Sequence, residues 1–183
     1  MEECQEVLRN PVAAHVRQNR CMNGPITTRS IEDADRPWLV EMLDAWGMRR
    51  LVSRERLTED ASVLPGFLAE RDGERVGLVL VRVEDGELEV VAIESLDRRQ
   101  GVGTALLRAA EAEAERQECR RAWLITTNDN LDAIRFYQRR GWDWVAFHAD
   151  AVTRGRRLKP EIPETGEFGI PIRHELEFER RIR

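Results

Sequence analysis

A chain of 183 residues, with 29 Lys and Arg facing 34 Asp and Glu, carries a net charge of −5 and a pI near 5.4. That length suits one domain with room for a real core, and the acidic balance argues against general nucleic-acid binding. Three widely spaced cysteines (Cys4, Cys21, Cys119) make no disulfide framework, and with His15, His148 and His174 they form no zinc-like spacing. Without an apolar run of 18 residues, and with a polar N-terminus, neither a membrane span nor a signal peptide is read; a cytoplasmic protein is expected.

Residues 1–24 read as an N-terminal extension, an arm broken by Pro11 and by Asn23-Gly24-Pro25, ahead of a domain over 25–183. Ile26 to Ser30 is a strand candidate. Ser30 then resembles a helix cap, with Pro37 in the first turn, Trp38, Met42 and Trp46 as an apolar stripe, and Gly47 as the stop. Residues 48–62, with Arg49, Arg50, Arg54 and Arg56, are polar and irregular. They read as a solvated connector, with one wall of an acceptor site as the alternative.

Strands are expected over Gly66–Glu70, Arg75–Val83 and Glu87–Ile93, the last two joined by the turn Glu84-Asp85-Gly86. An antiparallel meander feeding a helix is not the βαβ repeat of a doubly wound nucleotide fold. The meander leads into Asp97-Arg98-Arg99-Gln100-Gly101-Val102-Gly103-Thr104, followed by strong helix formers from Ala105 to about Gln117. A strand that ends in a glycine turn and opens into a helix aims unpaired N–H groups at one point, where the helix dipole favours a phosphate. Gly101 and Gly103 are expected to let the backbone approach that anion, with charge added by Arg98 and Arg99. Leu106 stands where a dinucleotide fingerprint needs its third glycine, and no Gly-Lys-Ser/Thr ending is present, so neither of those cradles fits.

Leu106, Leu107, Ala110 and Ala114 form the apolar side of this helix, and Glu111, Glu113 and Glu115 its solvated face. Arg121 to Thr127 is the next strand. A second helix follows, capped by Asn128 or Asn130, with Asp129 and Asp132 at its N-terminal dipole, Arg139 and Arg140 at the other end, and Gly141 closing it.

Two motifs now carry a family resemblance. Arg98-x-x-Gly101-x-Gly103 is similar to the acetyl-CoA signature of the GNAT superfamily of N-acyltransferases. Asn130, Ala133, Tyr137, Gly141 and Trp142 match that superfamily's other main motif, in family order and at family separation, over a resemblance strongest in residues 25–149. The resemblance implies a single-domain α/β fold of the α+β type: a mixed, mostly antiparallel sheet flanked by helices, with splayed strands holding acetyl-CoA as co-substrate and no metal. It implies that the cofactor arm pairs with the strand edge at Val91, Ala92 and Ile93. Its pyrophosphate would be held by Arg98, Arg99, Gln100, Gly101, Val102, Gly103 and Thr104, with Asn130 touching the arm. Tyr137, the only tyrosine, would protonate the leaving thiolate. The implied partner is the amine of a small molecule or peptide, without nucleic acid or membrane, and a homodimer is compatible with such a fold.

Amine attack needs a base. Strand alternation is expected to put Glu87, Glu89, Val91 and Ile93 on one face beside the cofactor. Glu89, deeper in the strand, is preferred over Glu87, which follows the turn and occupies a position where some relatives keep a base. Glu94, on the opposite face, comes third. A non-catalytic acyl-CoA-binding sensor or interaction module on the same fold is the rival reading.

Beyond the second motif, Trp142 to His148 is an aromatic strand. Arg154, Arg156, Arg157 and Lys159 form a basic run, read as a solvated loop with recruitment of an anionic partner as the functional alternative. Residues 161–169 are a long loop. Pro171 to Ile182 alternates strictly, as a half-exposed final strand does, with His174 on its apolar side as a structural histidine or, alternatively, a base.

Overall fold

Asp35 decides how the domain begins. In the computed structural model, which describes residues 24–96 and 100–182, its carboxylate accepts hydrogen bonds from Arg29 at 2.6 and 2.8 Å, from Arg75 at 2.8 Å and from the Glu32 N–H at 2.9 Å. These bonds tie strand β1 (Thr27–Ser30) to a 3-10 turn over Asp33–Asp35, so helix α1 (Arg36–Ala45) starts later than a Ser30 cap would place it. Its inward face is Leu39, Met42 and Leu43, with Trp38 and Trp46 at the border, one residue rotated from the expected tryptophan stripe. The expected N-terminal arm, apart from Gly24, and the pair Arg98–Arg99 lie outside the described residues.

The stretch expected as an irregular connector contains a small hairpin, β2 (Leu51–Ser53) paired with β3 (Arg56–Thr58). Then the expected meander follows: β4 (Gly66–Arg71), β5 (Glu74–Glu84) and β6 (Glu87–Ser95). Helix α2 (Val102–Arg116), β7 (Arg121–Thr127), α3 (Leu131–Gln138), β8 (Asp143–His148), α4 (Ala151–Gly155) and β9 (Glu175–Arg181) complete the order. Seven strands form one sheet in the order β1-β4-β5-β6-β7-β9-β8, antiparallel throughout except for the β6–β7 pair.

Each sheet face has its own core. On one, Val79, Val81, Leu88 and Val90 meet Val102, Leu106 and Leu107 of α2 together with Tyr137 and Phe178. On the other, Leu68, Leu78, Leu80 and Ala92 meet Leu39 and Leu43 of α1. Burying each such leucine contributes about 1.5–3 kcal/mol, so two helices clamp the middle of the sheet from opposite sides.

Two expectations near the C-terminus are corrected. The strand expected from Pro171 begins at Glu175 and is not half-exposed: it is inserted between β7 and β8, where Glu175 and Glu177 are buried. The basic run is helix α4 and its C-terminal turn rather than a solvated loop. Arg154 pairs with Glu55 at 2.7 Å, Arg156 donates to the carbonyl of Ile172 at 2.8 Å, and Lys159 donates to those of Gly47 and Arg50 at 2.7 Å each. These charges anchor loops.

Candidate active site

The site begins with a mismatch of strand lengths. β6 pairs with β5 along its whole length, up to Gly77 opposite Ser95, yet its pairing with β7 stops at Val90 opposite Leu124. Between β5 and β6 the register shifts: Leu80 faces Ala92, Val81 faces Val90, and Val91 is left over as a bulge. A bulge bends its strand and sharpens the twist, so β6 turns away from β7 and the sheet forks. Backbone at Val91, Ala92 and Ile93 lies on the open edge of that fork. The bulge also breaks the expected single face of Glu87, Glu89, Val91 and Ile93, because Ile93 packs into the α2-side core while Ala92 joins the α1-side core. Glu94, opposite Leu78, therefore shares the side of Glu89 rather than the reverse.

At the far end of β6 stands the N-terminus of α2. Gly101 caps it at φ +88°, a left-handed conformation that glycine adopts without steric cost. Among the described residues the first N–H of α2 to bond back is that of Ala105, 3.0 Å from the Gly101 carbonyl, so the N–H groups of Val102, Gly103 and Thr104 form the helix's first turn ahead of its intrahelical ladder. Gln100 is tethered from β4, its carbonyl accepting from the buried Arg71 at 3.0 Å and its side-chain oxygen accepting from the same guanidinium. Gly103 has a packing role: an added Cβ would lie 3.1 and 3.3 Å from ring atoms of Phe136, so the glycine lets α2 and α3 close together.

Arg140 had no expected part beyond the helix dipole. Its guanidinium lies 3.6 Å over the Phe136 ring and donates to Thr104 Oγ1 at 2.8 and 2.6 Å, placing a cation at the first turn of α2. Burial, with Arg139 and Arg108 nearby, lowers its pKa.

Helix α3 supplies Tyr137. Asn130 caps the helix by accepting from the Ala133 N–H at 3.1 Å, so its side-chain oxygen is engaged locally. The Tyr137 ring is buried against Phe136, Trp142 and Phe178, with centroids 5.2, 6.2 and 5.6 Å away. Burial, reinforced by the Glu94 carboxylate, pushes its phenol well above the ordinary value, so it is protonated throughout the neutral range.

The sheet face opposite α2 carries the candidate bases. Glu89, 6% exposed, pairs with Arg82 at 2.7 Å, and Arg82 also donates to Thr58 of the hairpin at 2.6 Å. Burial raises the Glu89 pKa despite Arg82 and Arg56. Glu87 is held by Arg120 at 2.6 Å and Arg121 at 2.9 Å, and Arg121 foremost lowers its pKa. Both glutamates line a cavity of about 360 Å³ roofed by the hairpin residues Arg54 and Arg56 and floored by Trp123. Trp123 stands opposite Glu89, one rung before the last paired rung of β6 and β7, so the cavity abuts the fork. His174 is not in this cluster: its Nδ1 accepts from the Asp150 N–H at 2.9 Å, and its ring packs on Phe147.

An extended ligand arm suits the open strand edge, an anion suits the first-turn N–H groups of α2, and a proton donor and a proton acceptor flank the fork. The family model described as acetyltransferase (GNAT) family matches residues 27–142. The chain belongs to this family. It is 44% identical over 120 residues to the uncharacterized protein YdhI of Bacillus subtilis (strain 168), covering 65% of this chain and 75% of that one. It is 36% identical over 132 residues to the uncharacterized protein YxbD of the same organism, covering 72% and 82%. A GNAT family acetyltransferase from Elizabethkingia anophelis, solved with acetyl-CoA bound, shares the fold at TM-score 0.62 and 18% identity over 85% of this chain and 97% of that one. So does the ribosomal-protein-S18-alanine N-acetyltransferase of Escherichia coli, at TM-score 0.59 and 17% identity over 86% and 94%. The GNAT fold expected from the two motifs is thus the fold observed. Among the described residues no helix is long and apolar enough to cross a membrane.

Proposed function

We propose that this GNAT acetyltransferase moves the acetyl group of acetyl-CoA to a primary amine of a small molecule or peptide. The observation that carries the reading is the fork beyond the Val90–Leu124 rung, with the charged cavity beside it and α2 and Tyr137 on the opposite sheet face. The open edge at Val91, Ala92 and Ile93 would pair with the amide-bearing arm of the thioester, and Gln100 through Thr104 would hold its pyrophosphate. An amine is mostly protonated at neutral pH, so the reaction needs a base. Glu89 suits that role because burial makes it a stronger base than an exposed carboxylate, whereas Glu87 is held ionised by two arginines and fits a structural role. Glu89 takes a proton from the bound ammonium, the neutral amine nitrogen then attacks the thioester carbonyl, and the second surplus proton on nitrogen passes to solvent as the amide forms. The carbon–sulfur bond breaks, and the sulfur takes a proton from Tyr137. Exchange with solvent restores both groups, giving amide and free thiol.

The test is thiol release from acetyl-CoA against a panel of primary amines, with Glu89→Gln and Glu87→Gln alongside. Turnover with at least one amine is expected, reduced roughly 100-fold in Glu89→Gln, the scale of a lost general base, and far less in Glu87→Gln. Tight acetyl-CoA binding without turnover by any amine would leave a CoA-binding module instead.

A further inference from the structure

We propose that the acceptor carries a carboxylate beside its amine and that Arg54, at the tip of the β2–β3 hairpin, recognises it. This rests on the acetyl-transfer reading above and narrows it to amino-acid-like acceptors. The cavity is lined by four arginines and four carboxylates, so it suits a ligand of both signs better than a plain cation. Three of those arginines are already engaged. Arg56 pairs with Glu84 through both terminal nitrogens, Arg82 with Glu89 and Thr58, and Arg120 with Glu87 and the Asp85 carbonyl.

Arg54 differs. Its side chain is 46% exposed, and its nearest carboxylate oxygen, on Glu177, lies 3.7 Å away, beyond hydrogen-bond distance. That carboxylate is already taken by Arg121 at 2.9 Å and His148 at 3.0 Å. Among the described residues the Arg54 guanidinium makes no hydrogen bond; it is laid over the Trp123 ring, 5.2 Å from the centroid. A planar fork with unspent donors on an aromatic floor is the arrangement that receives a carboxylate through two parallel bonds.

Backbone conformation points the same way. Arg54 and Glu55 form the two-residue turn of the hairpin with φ of +51° and +60°, a turn that ordinarily calls for Asn-Gly. Such strain persists only where the surroundings hold it, and here they do. The Arg54 N–H donates to Glu175 at 2.9 Å, and the Glu55 carboxylate accepts from Arg154 at 2.7 Å. The tip is thereby pinned against the sheet with its guanidinium over Trp123. Trp123 stands opposite Glu89 across the strand pair, so a carboxylate on Arg54 and an amine at Glu89 lie one tryptophan apart. The four lining carboxylates favour a singly charged carboxylate over a doubly charged phosphate at the same fork.

The test compares matched pairs of acceptors in the thiol-release assay: L-lysine with cadaverine, L-histidine with histamine, L-phenylalanine with phenethylamine, and 2-aminoethyl phosphate as the dianion arm. At least one amino acid is expected to exceed its decarboxylated partner at least tenfold in kcat/KM, through KM, and 2-aminoethyl phosphate to lag. Arg54→Gly, which suits the positive φ and keeps the backbone bond to Glu175, should bring that ratio close to one; Arg54→Lys should restore part of it. Calorimetry of the N-acetyl products on the protein gives a readout independent of turnover, in which the N-acetyl amino acid should bind at least tenfold tighter than the N-acetyl amine. Decarboxylated amines used or bound equally well, or an Arg54→Gly protein that keeps the preference, would overturn the proposal while leaving amine acetylation standing. Loss of all turnover together with unequal binding of the products would instead sink the reaction and spare the site.

Discussion

Replacing Tyr137 with Phe separates chemistry from packing at the fork. The ring keeps its contacts with Phe136, Trp142 and Phe178 and loses one oxygen, so stability should change by less than about 1 kcal/mol. For catalysis the magnitude follows from two proton affinities. A phenol of reference pKa about 10 faces a thiol of about 8.5, and burial of Tyr137 widens that gap, so full transfer to a free thiolate is uphill by at least about 2 kcal/mol. The hydroxyl therefore acts while the carbon–sulfur bond is still breaking, and its loss belongs at the lower end for a general acid, roughly 10²-fold in kcat, or about 2.7 kcal/mol. Three measurements decide it: kcat by thiol release at saturating acetyl-CoA, the acetyl-CoA Kd by calorimetry, and Tm. The expected set is a kcat about 100-fold lower with Kd and Tm nearly unchanged. Because the phenol stays protonated, the parent kcat should show no alkaline fall due to this group up to about pH 10. A Phe variant that folds, binds acetyl-CoA and turns over at the parent rate refutes the role, and water or the acceptor must then supply the proton.

Two further outcomes follow from the packing. Asp35→Asn removes the anion that Arg29 and Arg75 share. It should cost about 3 kcal/mol in urea unfolding at pH 7, the low end for breaking a buried pair because a third of each arginine side chain still meets water. Arg29 foremost holds the Asp35 pKa below its unfolded value, so this stability is complete above about pH 5 and lost as the pH falls; a gap between parent and variant that does not narrow toward pH 3 would contradict the assignment. Gly103→Val should destabilise by about 1–3 kcal/mol through overpacking on Phe136, and Phe136→Leu should relieve part of that cost. A double-mutant cycle without coupling would return Gly103 to the role of clearing space for the anion.

Local signals were readable and long-range ones were not. The turn at Gly86, the cap at Asn130 and the closing Gly141 each mark an element by chemistry confined to a few residues, and the elements they mark are present. The β2–β3 hairpin escaped because Arg54-Glu55 is the wrong composition for its turn. The bulge at Val91 escaped because the strand is apolar throughout Val90–Ile93, so no break in alternation betrays the extra residue. Arg71 and Arg140 could not be singled out, since their partners lie 29 and 36 residues away in sequence. The assignments of Val91, Ala92 and Ile93 to the cofactor arm, and of Tyr137 to the acid, came from the family motifs. The structure adds to them a forked edge and a buried ring.

The insertion of β9 between β7 and β8 bears on how the protein is made. Among the described residues strand β8 has its sheet partner in β9 alone, and Glu175 and Glu177, which steady the hairpin tip and Arg121, sit on that same late strand. During synthesis the meander and α2 can close on one another as soon as they emerge, but β7 and β8 must wait for residues 175–181 before either is completed. Pairings that span such separations form slowly and leave open strand edges exposed in the meantime. A nascent chain stalled before Glu175 would thus hold a finished meander beside an unfinished acceptor face, with the aromatic edge of β8 exposed to chaperones or to neighbouring chains.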